Sequence, residues 1–297
     1  MTESRVFILD ALNYIFRAYY AVPQDITTPA GMPKNAILGY TRTLLRLLKE
    51  QQPEFIVAAF DGPGSFRGQL FDQYKANRSE TPEHLSPQIK YCRRMTEAMG
   101  IPTYEAEGFE ADDVIGTVAK QMWSRGYPTV IVSGDKDLSQ LVRTGVCVYD
   151  LANDLWLDET GVRERFGVEP RQIPDLLALN GDPVDNIPGV RGIGPKTARL
   201  ILAVCSDVED IAANDSLIDS VSIRSRGRLV RRILDSIETV RLSRRLATIR
   251  CDVPLTINPD TVRYRRGQPD TLVPLCEELG FRGLLEDIPM SLQRTLF

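Results

Sequence analysis

Three short hydrophobic runs that each end in an aspartate constrain the fold of this chain more than any other feature. RVFILD ends at Asp10, FIVAAFD at Asp61, and TVIVSGD at Asp135, with Asp137 just beyond. Short runs of β-branched and aliphatic residues between segments of helical periodicity indicate buried parallel strands. We expect helices over about 35–50, 87–99 and 111–125. The pattern therefore predicts an α/β fold.

The aspartates at the strand ends are expected to lie close together. In open parallel sheets, the ligand site lies outside the carboxyl ends of the strands. A single aspartate at a strand end more often caps a turn or a helix. Three such aspartates make capping a weaker explanation, so we predict an acidic site at this edge.

More acidic residues crowd the helix that follows Gly108. GFEADDVIGTVAKQM has one apolar face, and Glu110, Asp112 and Asp113 stand at its beginning. One acidic residue suffices to cap a helix or complement its dipole. Three in four residues repel one another, and a divalent cation would relieve that repulsion.

A further acidic pair, Asp182 and Asp185, lies in NGDPVDNIPG. Capping and Asx-turn geometry are again the alternative explanation. Taken together, the nine carboxylates indicate two hydrated Mg²⁺ or Mn²⁺ ions. Two metal ions about 4 Å apart can activate water and stabilise the leaving oxygen in phosphodiester hydrolysis.

Composition supports carboxylate chemistry and excludes several protein classes. The chain has one histidine, His84, and five scattered cysteines without a CxxC pair, so zinc is not expected. The cysteines favour a reduced, cytoplasmic compartment. No apolar run among the 297 residues is long enough to cross a bilayer, and MTESRVFILD lacks the pattern of a signal peptide. We expect no membrane partner.

Charge is distributed unevenly along the chain. Residues 107–185 contain fifteen Asp and Glu against seven Lys and Arg, a balance of −8. Residues 186–250 contain twelve Lys and Arg against seven Asp and Glu, a balance of +5. Two solvated surfaces would explain this asymmetry, and so would a basic surface for nucleic acid beside an acidic site.

A glycine-rich turn begins the basic segment. GVRGIGPKTARLILAV, residues 189–204, permits a tight hairpin followed by a helix whose N-terminus can bind an anion. Lys196 and Arg199 add positive charge. The pattern is typical of a helix-hairpin-helix that grips a DNA backbone, although an ordinary interhelical loop is the alternative. The basic tract that follows favours DNA binding.

Basic and aromatic residues alternate in SFRGQLFDQYKANRSETPEHL, which follows Asp61. Arg67, Lys75 and Arg78 suit a single-stranded phosphate path, and the intervening aromatic rings suit base stacking. The alternative is an amphipathic helix with Phe71 and Tyr74 packed inward.

Over roughly residues 4–288, the chain resembles the bacterial 5′-nuclease family, which comprises the flap-endonuclease-like domain of DNA polymerase I and its free-standing relatives. The resemblance rests on FILDALNYIFRAY, AFDGPGSFR, YKANR, GFEADDVIGT, SGDKDLSQL and NGDPVDNIPGVRGIGPKTA, in the family's order and spacing. It implies a PIN-like fold: a central, mostly parallel sheet flanked by helices, with a helical arch and a helix-3-turn-helix region.

The resemblance also implies a division of the chain into parts. A nuclease core would span residues 1–175, with the arch at about 62–95. A DNA-binding helix-3-turn-helix region with C-terminal helices would span 176–288, and a tail would span 289–297.

By similarity to the family, the acidic residues divide between two metal ions. The first would be held by Asp10, Asp61, Glu110 and Asp112, and the second by Asp135, Asp137, Asp182 and Asp185. Asp113 would act as a direct or indirect ligand. Lys75 and Arg78 would face the scissile phosphate.

Further contacts are implied by the same resemblance. The main-chain carbonyls of a K⁺ site would belong to Leu179, Asn180, Pro188, Val190 and Ile193. The residues expected to contact DNA are Tyr14, Arg17, Arg67, Tyr74, Gly192, Gly194, Lys196 and Thr197.

The tail ends in Q-x-x-L-F, formed by Gln293, Leu296 and Phe297. This resembles the short peptide with which bacterial replication proteins dock onto the sliding clamp. Leu and Phe would fill an apolar pocket, and the Gln amide would set the register. A chance match, or packing of the tail on its own domain, is the alternative.

The resemblance implies a monomeric, nucleoid-associated enzyme with 5′→3′ exonuclease and 5′-flap endonuclease activity on double-stranded DNA. A haloacid-dehalogenase-type phosphatase is a poor alternative because the required DxD is replaced by Asp10-Ala11-Leu12. A non-catalytic DNA-junction binder would gain nothing from nine acidic residues, because without a metal they weaken DNA binding.

Overall fold

A six-stranded sheet forms the centre of the fold in the computed structural model, which describes residues 4–213 and 226–290. The strands are β1 (Val6–Asp10), β2 (Phe55–Ala59), β3 (Thr103–Tyr104), β4 (Thr129–Val132), β5 (Val146–Asp150) and β6 (Leu155–Leu157). Their order is β3-β2-β1-β4-β5-β6. All neighbours run parallel except β5 and β6, which are antiparallel. The predicted mostly parallel sheet is confirmed.

The central position of β1 brings the acidic strand ends together. β1 ends at Asp10 and pairs with both β2 and β4. β2 ends two residues before Asp61, and β4 ends three residues before Asp135, so these two aspartates lie in the loops that follow their strands. Because the three strands are parallel neighbours, all three aspartates lie at one edge of the sheet.

Helices cover both faces of this sheet. The N-terminal ones are α1 (Ala11–Ala21), α2 (Asn35–Gln51), α3 (Phe66–Leu70), α4 (Ser86–Ala98), α5 (Ala111–Trp123) and α6 (Glu159–Phe166). The three helices expected from periodicity are α2, α4 and α5, each within two residues of the expected bounds. Side chains alternate along a strand, so Val6 and Ile8 pack on the α5 side, while Phe7 and Leu9 pack with α1, α2 and α4.

The segment expected to form a helical arch, about 62–95, contains α3 and the first part of α4, separated by a non-helical stretch. Ser65 caps α3, its Oγ accepting a hydrogen bond from the Arg67 amide, and α3 ends at Leu70. Residues 71–85 form turns and irregular structure up to the start of α4. Lys75 has a positive φ of 57°, which a continuing helix could not accommodate. The two helices of the expected arch are therefore joined by a non-helical stretch, residues 71–85, which we call the crossing segment.

A helical region follows the sheet. Its helices are α7 (Ile173–Asn180), α8 (Pro195–Leu202), α9 (Val208–Ala213), α10 (Arg226–Asp235), α11 (Ile237–Ala247), α12 (Pro269–Leu279) and α13 (Arg282–Leu285). α7 packs on α8 and α11, and α12 returns to pack against α4. The domain boundary expected after residue 175 falls inside α7. No helix in the described ranges is both long and apolar enough to cross a membrane.

Close backbone packing holds the glycine-rich hairpin, residues 189–194, against the end of α7. A Cβ added to Gly189 would lie 2.4 Å from the Gly181 nitrogen. The Val190 amide donates to the Leu179 carbonyl at 2.9 Å. Only a residue without a side chain allows this approach, so Gly189 fixes the direction in which the hairpin leaves the helix.

We expect Gly189→Ala to lower the free energy of unfolding by about 1–3 kcal/mol, because the backbone must shift to accept the methyl group. Gly194→Ala is the matched control in the same hairpin. Its Cβ would meet nothing within 4 Å, and its φ is −100°. Urea unfolding followed by circular dichroism measures both variants. Equal stability of the two variants would contradict the packing argument.

Candidate active site

Asp10 and Asp61 both cap helices at the acidic edge. Asp10 accepts hydrogen bonds from the Asn13 amide at 3.2 Å and from Ser133 Oγ at 2.7 Å. Asp61 accepts from the Ala111 amide at 2.7 Å, at the start of α5. The capping explanation is thus correct for both residues. It does not account for the further carboxylates that lie beside them.

Three carboxylates at this edge repel one another. Burial raises the pKa of Asp10 to about 7, although the Ser133 hydrogen bond opposes the shift, and the charge of Asp135 adds to it. Burial, followed by the charges of Asp135 and Asp10, raises the pKa of Asp112 well above its usual range. The structure therefore brings together a strand end, the loop after β4 and the first turn of α5, as the sequence predicted.

Asp137 links this group to the second acidic pair. Burial raises its pKa to about 7, and the charges of Asp135, Asp182 and Asp185 contribute in the same direction. Its Oδ1 atom is buried without a hydrogen-bond partner among the described residues. A buried carboxylate oxygen without a partner is costly, and a bound cation would satisfy it.

The crossing segment contributes cations to the acidic edge. Lys75 Nζ lies 2.9 Å from Glu110 Oε1, and Arg78 Nη2 lies 2.5 Å from Asp185 Oδ1. The Tyr74 hydroxyl lies 3.2 Å from an oxygen of each of these carboxylates and can donate its one proton to either. Burial disfavours the charged form of Glu110, but Lys75 and Arg67 outweigh it and hold its pKa below the usual value. Protein cations thus neutralise part of the cluster.

Lys136 is a contributor that the sequence analysis missed. It stands between Asp135 and Asp137, and its Nζ lies 2.7 Å from Asp182 Oδ2. The aspartate is 2 % exposed, whereas the lysine side chain is 45 % exposed. The lysine between two acids in SGDKD was the available signal. Its partner, 46 residues away, could be identified only from the fold.

The structure corrects the expectation that Arg67 contacts DNA. Its side chain is 3 % exposed, and its guanidinium forms a bidentate ion pair with Asp113, at 2.7 and 2.8 Å. It also donates to the Leu246 and Thr248 carbonyls and to Glu110 Oε2. All of its N–H groups donate to acceptors inside the protein, so Arg67 supports the acidic site from the interior.

Asp113 is correspondingly unsuited to bind a metal directly. Its side chain is completely buried, and its two oxygens accept from Arg67, from the Glu110 amide and from the Arg250 amide. The direct-ligand alternative is therefore wrong in this arrangement. The residue orients Glu110 and the start of α5.

Two aromatic predictions are also corrected. Tyr14 is 2 % exposed, and its hydroxyl accepts from the Leu151 amide, so its ring cannot contact DNA as expected. Phe71 and Tyr74 pack partly buried against the hydrophobic core, as the alternative explanation proposed, but from a non-helical segment and not from an amphipathic helix. They form no open stacking platform. Arg17, on the same helix as Tyr14, is exposed.

The hairpin presents its glycines to solvent. Gly192, Gly194 and Lys196 are exposed, and Thr197 is half-buried at the start of α8. Arg232 of α10 donates to the Arg191 carbonyl at 2.8 Å, which adds positive charge to the same surface. The predicted backbone-binding surface is therefore accessible. Arg224, from the basic tract, lies outside the described residues.

Three of the five carbonyls expected at the K⁺ site accept hydrogen bonds near the base of this hairpin. The Leu179 oxygen accepts from the Val190 amide, the Pro188 oxygen from Ser243 Oγ, and the Val190 oxygen from the Ile193 amide. Asn180 ends α7 beside them. A carbonyl oxygen has two lone pairs, so these hydrogen bonds leave K⁺ binding as a prediction.

The residues fit divalent cations chemically, but not as a finished coordination site. Within residues 4–213 and 226–290, no three His, Cys, Asp or Glu side chains converge closely enough to hold one metal ion. The crowded carboxylates, their raised pKa values and the unpartnered Asp137 oxygen all favour a bound cation. Oxygen ligands of this kind suit Mg²⁺ and Mn²⁺.

An α/β domain with an acidic edge, followed by helices that carry an exposed glycine hairpin, defines a two-domain protein class. The family model of the "5'-3' exonuclease, N-terminal resolvase-like domain" matches residues 5–167. That of the "5'-3' exonuclease, C-terminal SAM fold" matches residues 168–270. The chain belongs to the 5′-3′ exonuclease family.

Relatives of two sizes resemble the chain. A 5′-3′ exonuclease of Aquifex aeolicus is 35% identical over 98% of this chain and 99% of its own length. DNA polymerase I of Pseudomonas aeruginosa is 38% identical over 97% of this chain but only 32% of its own length. The chain thus spans about a third of the polymerase relatives.

Solved structures share the fold. The zinc-bound T5 5′-exonuclease superposes with a TM-score of 0.65 and 24% identity, over 82% of this chain and 89% of the other. The catalytic core of Rad2 in complex with DNA substrate has a TM-score of 0.62 and 18% identity, over 96% and 92% of the two chains. At these identities the likeness establishes the α/β architecture.

We expect Arg67→Ala to lower the free energy of unfolding by about 3–5 kcal/mol, because it leaves the buried Asp113 charge without its partner. Combining Arg67→Met with Asp113→Leu should recover part of this loss, because neither charge then remains. Arg263→Ala, which breaks the exposed pair with Glu54, is the control and should cost less than about 1 kcal/mol. Urea unfolding measures all three, and a loss no larger than that of the control would contradict the proposed support role.

Proposed function

We propose that this chain is a structure-specific 5′→3′ exonuclease and 5′-flap endonuclease that hydrolyses DNA phosphodiesters. The observation that carries the proposal is the convergence of strand-end and helix-start carboxylates beside an exposed, basic hairpin. Membership of the 5′-3′ exonuclease family supports the same activity. The products would carry 5′-phosphate and 3′-hydroxyl groups, as expected when primers and displaced strands are removed in replication and repair.

Two divalent cations, Mg²⁺ or Mn²⁺, are the proposed cofactors. One would be held by Asp10, Asp61, Glu110 and Asp112, and the other by Asp135, Asp137, Asp182 and Asp185. When bound, such ions supply Lewis-acid stabilisation of charge and activation of water. The T5 5′-exonuclease has been solved with divalent zinc ions bound, which supports this class of cofactor. Asp113 and Arg67 would keep the first turn of α5 in place.

Lys75 and Arg78 would position and stabilise the scissile phosphate. Their cationic groups now lie on Glu110 and Asp185, at the edge of the carboxylate cluster. A phosphate that enters here meets donors already held within the site. Cations fixed beside a phosphoryl group stabilise the charge that develops on its oxygens in the transition state.

The hairpin and the start of α8 would hold duplex DNA by its backbone. Gly192 and Gly194 let the main chain approach closely, and Lys196 lies exposed at the second residue of the helix. Helix N-termini attract phosphate. K⁺ bound by the carbonyls at the base of the hairpin would strengthen this contact, and Arg17 on α1 would make another.

The proposed activity is tested with a labelled 5′-flap substrate. The intact chain should release the flap with Mg²⁺ and not with EDTA. Asp112→Asn should fold and bind the substrate, while its single-turnover rate falls by a factor of about 10² or more, because the charge that attracts the cation is lost. Asp260→Asn, an exposed acid in the turn at 259–261, is the control. Metal-independent cleavage would overturn the proposal.

Lys75 and Lys196 should separate chemistry from binding. Lys75→Ala should slow single-turnover cleavage more than it weakens substrate affinity. Lys196→Ala should weaken affinity and reduce the log–log salt slope by about 1, with little change in the saturated rate. Fluorescence anisotropy and rapid-quench kinetics measure the two effects. The same pattern of losses in both variants would contradict this division.

Additional partners belong to the same proposal. The chain would act as a monomer at the nucleoid in the cytoplasm, on double-stranded DNA with a 5′ end or flap. Docking onto a sliding clamp would use Gln293, Leu296 and Phe297, which lie outside the described residues. Tethering of this kind raises the effective concentration of a nuclease at replication intermediates.

A further inference from the structure

A cavity lined by arginines lies beside the carboxylate cluster. It has a volume of about 730 Å³, between α3, the 3₁₀ turn at 137–141 and the end of α11. We call it the arginine cavity, because five arginines line it: Arg143, Arg171, Arg244, Arg245 and Arg250. No Asp or Glu is among the described residues that line it. So much positive charge around one concave space attracts an anion.

Three of these arginines carry uncompensated charge. Arg244 pairs with Asp175 at 3.0 Å, and Arg250 pairs with Asp252 at 2.7 Å. Arg143, Arg171 and Arg245 are exposed, and none of them forms an ion pair with a carboxylate of the described residues. Arg143 lies over the Trp123 ring, 5.2 Å from its centroid, which does not neutralise its charge. These three guanidinium groups are therefore available to an external anion.

One layer of side chains separates the cavity from the acidic edge. Phe66 and Leu70 of α3 line it, and Arg67 between them reaches inward to Asp113. Gln140 also lines it and donates to the Asp137 carbonyl at 3.0 Å. The glycine hairpin, in contrast, follows the acidic pair that ends at Asp185. The cavity and the hairpin thus adjoin different members of the same carboxylate cluster.

We propose that the arginine cavity binds phosphates of the single-stranded 5′ arm of the nucleic-acid substrate. This inference rests on the proposed nuclease function. Guanidinium groups bind phosphate oxygens in a bidentate manner and remain charged. The carboxylate cluster repels the substrate backbone, so a cationic anchor on each side of it would hold the strand across the acidic edge.

The shape of the cavity favours a single strand over a duplex. Its volume of about 730 Å³ is large enough for a nucleotide and too small to enclose a double helix. The size lies within the roughly 300–1,000 Å³ typical of ligand pockets. Leu70, which is exposed, and the half-buried Phe66 add apolar surface on which a sugar or an unstacked base can pack.

The test compares two labelled DNAs, a blunt duplex and the same duplex with a single-stranded 5′ tail, by fluorescence anisotropy in EDTA at several salt concentrations. The cavity variant is Arg143→Ala with Arg171→Ala and Arg245→Ala. The control variant removes the same charge from three exposed arginines outside the cavity that form no ion pair with a described carboxylate, as Arg42→Ala with Arg125→Ala and Arg165→Ala. Thermal unfolding confirms that both variants fold.

We expect the cavity variant to bind the tailed duplex at least about tenfold more weakly and to lose about 2 from its salt slope, at about 0.7 for each single-strand phosphate contact. Affinity for the blunt duplex, and both affinities of the control variant, should change little. An equal loss on both DNAs, no loss, or the same loss in the control variant would overturn the inference. An acidic peptide that binds only the intact chain, with tail affinity unchanged in the cavity variant, would assign the cavity to a protein partner.

The readout is independent of cleavage. If the flap assay with Mg²⁺ failed, the proposed function would fail whatever the binding result. If cleavage succeeded and tail binding did not depend on the cavity, only the present inference would be lost.

Discussion

The buried pair of Arg67 with Asp113 is the interaction on which the site depends. Removing both charges from water costs several kcal/mol per ion, so the pair is stable only because its hydrogen bonds are complete. Arg67 donates to two carboxylates and two carbonyls, from α5 and from the end of α11. One side chain thus links α3, the first turn of α5 and the end of α11.

The consequence is that a buried ion pair in the interior fixes the geometry of the acidic edge. Because Arg67 and Asp113 satisfy each other inside the protein, Glu110 and Asp112 remain at the front of the same helical turn. The crossing segment starts immediately after α3, so anchoring of α3 also determines where Lys75 reaches the cluster. Support and chemistry are therefore divided between adjacent residues of one acidic motif.

Electrostatic balance explains why protein cations lie on the carboxylates. Burial and mutual repulsion raise the pKa of Asp10 and Asp137 to about 7, so the cluster has a strong affinity for positive charge. Lys75, Arg78 and Lys136 supply part of it. Divalent cations would neutralise the remaining negative charge of the cluster. Beyond the cluster, the hairpin and the arginine cavity provide positive surfaces for the polyanion that the acids themselves repel.

The amino-acid sequence by itself determined the parallel sheet, its main helices and the meeting of the carboxylates at one edge. These follow from local periodicity and from the geometry of parallel strands, both of which can be recognised without knowing the packing. Only the tertiary structure decided that Arg67 and Tyr14 are interior, that residues 71–85 of the arch are non-helical, and that Lys136 pairs with Asp182. The identity of an arginine or a tyrosine does not reveal whether its side chain is buried or exposed. Its exposure depends on which distant segments pack over it, and those contacts form only when the chain is folded.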